Sequence, residues 1–171
     1  MCLANLMLTG NATPYIFNGV MAVDYSEDTN FNFKDGKVGI TTRNDIGLLY
    51  WDETPKKTQE AGLGSRLKTP ILPIWVTCVN ENWGVLFNPN KDLMKSYAAE
   101  NRFNLYYYSN TTIKEKIDTI LTIDTRDKKF VNKINVDLND DFEQIDENPL
   151  EKAIQTKYKI NSYLTLIAFI K

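Results

Sequence analysis

The most regular pattern in the chain is the alternation from Ile71 to Val79. There Ile74, Val76 and Cys78 point to one side, and Trp75, Thr77 and Val79 to the other. Both sides are mostly apolar, which predicts an interior strand covered on two faces. Asn80-Glu81-Asn82 turns the chain, and Trp83 to Phe87 runs back as the second arm of a tight hairpin. Phe103 to Tyr108 and Thr119 to Ile123 read as two further strands. Tyr163 to Ile170 reads as a last one, so that residues 163–171 are either a strand completing the chain's own sheet or a docking tail. Upstream, Met1 to Leu8 carries Leu3, Leu6 and Met7 without a charge and reads as the end of a buried helix or as a strand. Tyr15 to Phe17, the pair Asn18-Gly19 and Val20 to Val23 form a hairpin pattern, because Asn-Gly accepts the positive φ of a type I′ turn. A polar loop over Asp24 to Lys37 leads to a short strand at Val38 to Ile40.

Three short helices are predicted. Asn44 or Asp45 caps one running through Leu48, Leu49 and Trp51; Asn90 caps another through Leu93, Met94, Tyr97 and Ala98. Pro149, with Glu151 in the first turn, opens a third that ends near Tyr158. Thr54 to Ser65 reads as a flexible connection, and residues 126–148 as a charged loop on the surface. Five to eight strands joined mostly by hairpin-length links predict a single α+β domain over residues 1–171, an antiparallel sheet with short flanking helices.

Composition narrows the chemistry. The chain has 171 residues, enough for one domain with a real core. Its 20 Lys and Arg against 22 Asp and Glu give a net charge of −2, so the basic excess of a phosphate-neutralising nucleic-acid binder is missing. The longest apolar stretch, Leu164 to Ile170, is far below the roughly 20 residues a membrane helix needs. Histidine does not occur at all. That removes Ser/His and Cys/His nucleophilic pairs, imidazole acid–base catalysis and His-ligated metal sites. Two cysteines, Cys2 and Cys78, make neither a disulfide framework nor a four-thiolate zinc site. No metal or cofactor is expected, and a reducing cytoplasmic compartment is.

The remaining candidates read as structure. Cys78 has no Lys or Arg beside it in sequence to favour the thiolate, and reads as a small buried hydrophobe. The acid pairs Asp140-Asp141 and Asp146-Glu147 fall in the charged loop, where paired carboxylates face water. Asp124 to Asp127 reads as turn capping. Gly62-Leu63-Gly64 before Lys68-Thr69 lacks phosphate-loop spacing, and Pro70 and Pro73 exclude the helix that such a loop needs. Tyr106-Tyr107-Tyr108, without basic residues between them, reads as strand packing on two faces and not as a platform for bases.

Taken in order, several segments resemble a known family. They are Leu8-Thr9-Gly10-Asn11-Ala12 with Phe17-Asn18-Gly19, Arg43-Asn44-Asp45-Ile46-Gly47, Leu67-Lys68-Thr69-Pro70 and Leu72-Pro73-Ile74-Trp75-Val76. Gly84-Val85-Leu86-Phe87, Phe103-Asn104-Leu105-Tyr106-Tyr107-Tyr108, Leu121-Thr122-Ile123-Asp124-Thr125, Pro149-Leu150 and Gln155-Thr156-Lys157-Tyr158 follow. The ordered set resembles the MINDY deubiquitinases, papain-like cysteine proteases that cleave polyubiquitin, and within them the fourth branch and its paralogue. The resemblance implies that the chain corresponds to the C-terminal lobe of the catalytic domain. The family's nucleophilic cysteine and oxyanion-stabilising residue would then belong to a half that precedes Met1. Its catalytic histidine follows the Pro-Ile-Trp strand in a Cys-Ser-Glu-Ser-His-Phe-Ser type run. Here that run reads Cys78-Val79-Asn80-Glu81-Asn82-Trp83-Gly84, which puts Asn82 at the histidine's place.

An amide cannot accept a thiol proton near neutral pH or become the imidazolium that stabilises a thiolate. The expectation is a pseudo-deubiquitinase: a non-catalytic structural or interaction subunit of a multi-subunit cytoplasmic assembly. The alternatives are a residual ubiquitin-binding module and a hydrolase completed by a missing N-terminal half. A lobe without its neighbour should expose a face, for which Trp75, Val79 and Trp83 are the candidates, with Tyr163, Leu164, Leu166 and Phe169 in the C-terminal segment. The many asparagines resemble those of AT-rich protist proteins, and an axonemal, ciliary role is one version of the subunit reading.

Overall fold

A computed structural model describes residues 1–21, 36–54, 56, 62–109, 117–125 and 149–158, together with the backbone of a strand at 165–170. The predicted loop at 126–148 and most of the one at 24–37 lie outside these residues. The molecule is mixed α+β. Strand β1 (Val20–Met21) and β2 (Lys37–Val38) form a small antiparallel pair. A second sheet orders β3 (Gly47–Trp51), β4 (Ile74–Val79), β5 (Asn82–Phe87), β6 (Arg102–Ser109), β7 (Ile117–Asp124) and β8 (Thr165–Ile170) side by side. Helix α1 spans Cys2–Thr9, α2 Ser65–Lys68 and α3 Pro149–Gln155, with a 3₁₀ turn at Lys91–Met94.

Strands β4 to β8 are antiparallel throughout; the β4–β5 link is of hairpin length as predicted, whereas β8 reaches β7 from far along the chain. Val79 pairs with Asn82, leaving a two-residue turn in which Asn80 (φ 46°) and Glu81 (φ 67°) both take positive φ. That is the type I′ geometry whose twist matches the flanking strands. The sheet is not wholly antiparallel, because β3 lies parallel to β4, with Leu48 beside Val76 and Tyr50 beside Cys78. Residues 47–51 are therefore a strand and not the helix predicted from Asn44 and Asp45. Leu48 and Leu49 are both fully buried on opposite faces, which one helical stripe could not achieve. Gly47 is needed at the start of β3: a Cβ there would strike the Leu67 carbonyl and come within 2.6 Å of the Trp75 ring.

Other departures are local. Val20–Met21 pairs with Lys37–Val38 and not with residues 15–17, although Gly19 does take positive φ, at 78°. Helix α1 buries only Asn5, which donates to the carbonyls of Thr13 and Tyr15 at 2.6 and 3.1 Å; Leu3, Leu6 and Met7 are exposed. Asn90 does cap a turn, accepting from the Asp92 amide at 3.0 Å, but the helix stops at Met94 and Tyr97 is 90% exposed.

Two apolar clusters flank the large sheet. One face carries Leu49, Trp75, Val79, Leu86, Leu105, Leu121 and Ile123, covered by Leu150, Ala153 and Ile154 of α3 and by Tyr158 beyond it. The other carries Leu48 against Ile16, Ile40 and Leu67, with Tyr50 and Val76 at its margin. This second cover sits over the β3–β4 end of the sheet.

Candidate functional site

The β4–β5 turn borders a cleft of about 320 Å³. Register builds it: Tyr50, Cys78 and Trp83 stand opposite one another on three adjacent strands and share a face. Asp52, Lys56 and Glu81 supply its charged rim. The Tyr50 hydroxyl donates to Asp52 Oδ2 at 2.9 Å, while the Thr54 amide donates to Oδ1 at 3.0 Å. Burial, reinforced by the bond to Asp52, raises the Tyr50 phenol well above its ordinary value. The Thr54 amide and then the Tyr50 hydroxyl hold the Asp52 carboxyl below the usual carboxylate range. Lys56 Nζ reaches Glu81 Oε1 at 3.2 Å across the mouth.

Cys78 is 4% exposed, and burial pushes its thiol up; the amine of Met1 and the Glu81 backbone amide pull the other way, the Asp52 and Glu81 charges add to the rise, and the net direction is upward. The cleft therefore sets a neutral thiol and a neutral phenol beside a carboxylate stabilised in its charged form. A carboxylate so stabilised is a poor base for a thiol whose proton is held more tightly than usual. Among the described residues, no group of three or more His, Cys, Asp or Glu side chains could hold a metal ion.

The predicted site residues divide between two faces. Asn82 opens β5 opposite Val79, is exposed, and donates its amide to the Asn80 carbonyl at 3.2 Å. Alternation along β5 turns it to the face opposite Cys78 and Trp83. The expectation that Trp75 and Val79 lie on an open face is corrected. Trp75 is fully buried, its indole N–H donating to the Lys68 carbonyl at 3.0 Å and its ring edge-on to Tyr158; Val79 is 8% exposed in the same cluster. Helix α3 and the residues after it cover that side. Trp83 is exposed, at 45%. Leu166 and Phe169 belong to β8, paired with β7 of the same sheet, opposite Leu121 and Asp118. Tyr163 and Leu164 lie outside the described residues.

Trp83 is also part of a larger surface. Val85 follows it on the same face of β5, and Tyr108 of β6 stands opposite Val85; both are exposed. Phe87 stacks on Tyr106 and Tyr108, with ring centroids 5.4 and 5.9 Å apart. Tyr107, by alternation, turns to the opposite face, towards the α3-covered cluster, so the tyrosine run packs on two faces as expected. The apolar alternation in β5 signals this surface; which part of the sheet a cover leaves open is a tertiary property that the strand pattern does not carry.

Comparison with known proteins gives the family. A family described as "Deubiquitinating enzyme MINDY-3/4, conserved domain" matches residues 1–162. The chain belongs to the MINDY-3/4 family. It is 36% identical over 157 residues to the Homo sapiens protein named "Probable ubiquitin carboxyl-terminal hydrolase MINDY-4", covering 92% of this chain and 18% of that protein. The protein of the same name from Xenopus tropicalis is also 36% identical over 157 residues, covering 92% of this chain and 19% of its own. That from Bos taurus is 38% identical over 123 residues, covering 72% and 15%. This MINDY-3/4 chain thus spans about a fifth of the length of the curated relatives it matches. No solved structure matches it. Among the described residues, no helix is long and apolar enough to cross a membrane.

Proposed function

We propose that this chain is a non-hydrolytic member of the MINDY-3/4 family, acting as a protein-binding subunit of a larger assembly. One observation carries the reading: the cleft beside the β4–β5 turn sets no imidazole beside the Cys78 thiol, and the Asp52 carboxylate at its rim is a poor base for it. The sequence contains no imidazole, Asn82 offers an amide turned to the other face, and the Cys78 thiol is buried and kept protonated. Loss of general-base catalysis alone costs on the order of 10²–10⁴ in rate. Cytoplasmic placement, and an axonemal version of it, belong to the same proposal and would be read by imaging a tagged copy in its own cell.

The test is direct. Incubated with isopeptide-linked polyubiquitin, the chain should release no shorter chains above the buffer rate. A ubiquitin probe bearing a cysteine-reactive terminus should not label Cys78, read in the Cys2→Ser variant because Cys2 is exposed. Shortening of the polymer, or labelling of Cys78, would refute the non-hydrolytic reading.

A second reading is favoured by the exposed face of Trp83, Val85 and Tyr108. The family's description as deubiquitinating, together with ubiquitin's own apolar patch, makes ubiquitin the partner to try first on this face. Titration of labelled ubiquitin should give saturable binding that Trp83→Ala weakens at least several-fold. Binding indifferent to Trp83→Ala would move the contact elsewhere, and no binding would leave the assembly-subunit role alone.

A further inference from the structure

On the α3-covered side of the sheet, a second cleft of about 420 Å³ opens between the Lys91–Met94 turn and the residues that follow α3. Its size falls in the range of roughly 300–1,000 Å³ usual for small-ligand sites. Two buried polar groups line it. The Lys157 side chain is 5% exposed, with Nζ lying 4.3 Å from the centre of the Tyr158 ring and 5.4 Å from that of Trp75. Glu100 is its ion-pair partner, but at 3.8 Å, whereas a charge-assisted hydrogen bond spans about 2.7–2.9 Å. Among the described residues the ammonium therefore has a counter-charge and two aromatic faces, but no close acceptor. Tyr158 is 6% exposed, and its hydroxyl has no hydrogen-bond partner among the described residues.

Both groups can donate, and the Tyr158 hydroxyl, a buried group without a partner among the described residues, is costly to maintain. Arg43 stands at the rim, fixed by bonds from Nε to the Thr69 carbonyl and from Nη2 to the Pro70 carbonyl, the latter 2.7 Å long. With Lys95, which pairs with Asp92 at 3.9 Å, the lining holds three cations, of which Arg43 and Lys157 face the single lining carboxylate of Glu100. Burial lowers the Lys157 ammonium from its ordinary value, which a bound anion would reverse. Leu93 and Met94 supply an apolar wall. The unpartnered Tyr158 hydroxyl, the loosely paired Lys157 and the positive balance call for an anionic acceptor, Glu100 disfavours one that is doubly charged, and the wall suits an apolar body.

We propose that this cleft binds a monocarboxylate with an apolar body, the carboxylate accepting from Lys157 and Tyr158 and the body lying on Leu93 and Met94. Such a group comes either from the C-terminus of a peptide ending in an apolar residue or from a free aliphatic or aromatic acid. The inference stands independently of the non-hydrolytic reading.

Amide spectra of the isotope-labelled chain, titrated with 4-phenylbutyrate, should show saturable shifts at Met94, Lys157 and Tyr158. The matching alcohol, 4-phenylbutanol, should bind at least tenfold more weakly. Lys157→Met should weaken the acid at least tenfold and Tyr158→Phe about three- to tenfold, while Glu100→Gln should tighten it several-fold. A short leucine-terminated peptide with a free carboxylate, compared with its amidated form, tells the sources apart: shifts from the free form alone support a peptide end, and shifts from the acid alone support a small molecule. Three outcomes overturn the proposal: no saturable shift with either carboxylate, inorganic phosphate bound as tightly, or affinity unchanged in Tyr158→Phe and Glu100→Gln. Those two variants keep the proposal open to refutation should Lys157→Met fail to fold.

Discussion

Cys2 and Cys78 are chemically the same side chain in different surroundings. Cys2 is exposed on α1, whereas Cys78 is buried between Tyr50 and Trp83, where desolvation raises its thiol. The thiolate is the reactive form, so an alkylating reagent near neutral pH should consume one equivalent quickly and the second roughly tenfold more slowly or less. Cys2→Ser should remove the fast phase, and denaturant should merge the two. Equal rates in the folded chain would contradict the burial of Cys78. The sequence already placed Cys78 in the interior, because it occupies a strand with apolar residues on both faces. It could not reveal the Tyr50–Asp52 pair at the cleft's edge. Those two are neighbours in sequence, but their role depends on β3 lying beside β4, a pairing without a local signature. Nor could it separate Trp75 from Trp83. Both are tryptophans in predicted strands, and only the position of α3 decides that one is buried and the other open.

At the level of elements, the β4–β5 hairpin was legible to within a residue: alternation set the strands and Asn80-Glu81-Asn82 the turn, of which Asn82 belongs to β5. The turn is imperfect, however, since Glu81 holds φ 67°, a conformation glycine adopts without strain. Its ion pair with Lys56 joins two side chains that are 67% and 76% exposed, and such pairs contribute little. Glu81→Gly should therefore stabilise the chain by about 0.5–1 kcal/mol, read as a higher denaturant midpoint with unchanged slope. A lower midpoint would mean that the ion pair outweighs the backbone strain. Strand β3 was misread for an identifiable reason. Asn44 and Asp45 look like helix caps, and Leu48, Leu49 and Trp51 fit a helical stripe as well as a two-faced strand; short apolar runs carry both readings. Helix α2, four residues long, begins at the last residue of the predicted connection over Thr54 to Ser65 and went unpredicted, because so short a segment has no period to detect.

Across the whole molecule, antiparallel neighbours follow from short links, while the parallel β3–β4 pair and the β7–β8 pair require distant segments to meet. Thr122 pairs with Thr165, so β8 returns to the sheet from some way along the chain. The α3 cover is similarly remote in sequence from the strands it seals. Ile154 is fully buried in that cover, and Ile154→Ala should cost about 2–5 kcal/mol by leaving a cavity over the Trp75 and Leu121 region. A loss below 1 kcal/mol in thermal or urea unfolding would mean that α3 is not the seal its burial indicates.

Strand β3 has a wider consequence. Five residues long, it sends Leu48 into one apolar cluster and Leu49 into the other, at an edge of the sheet where, among the described residues, β4 is its strand partner. Neither cluster can keep its leucine if the strand lets go. The two halves of the interior are thus yoked mechanically, and slippage at this margin propagates to both as a single event. Heat or denaturant should accordingly dissolve the packing around Trp75 and that around Ile16 in step, with no stage at which one survives the other.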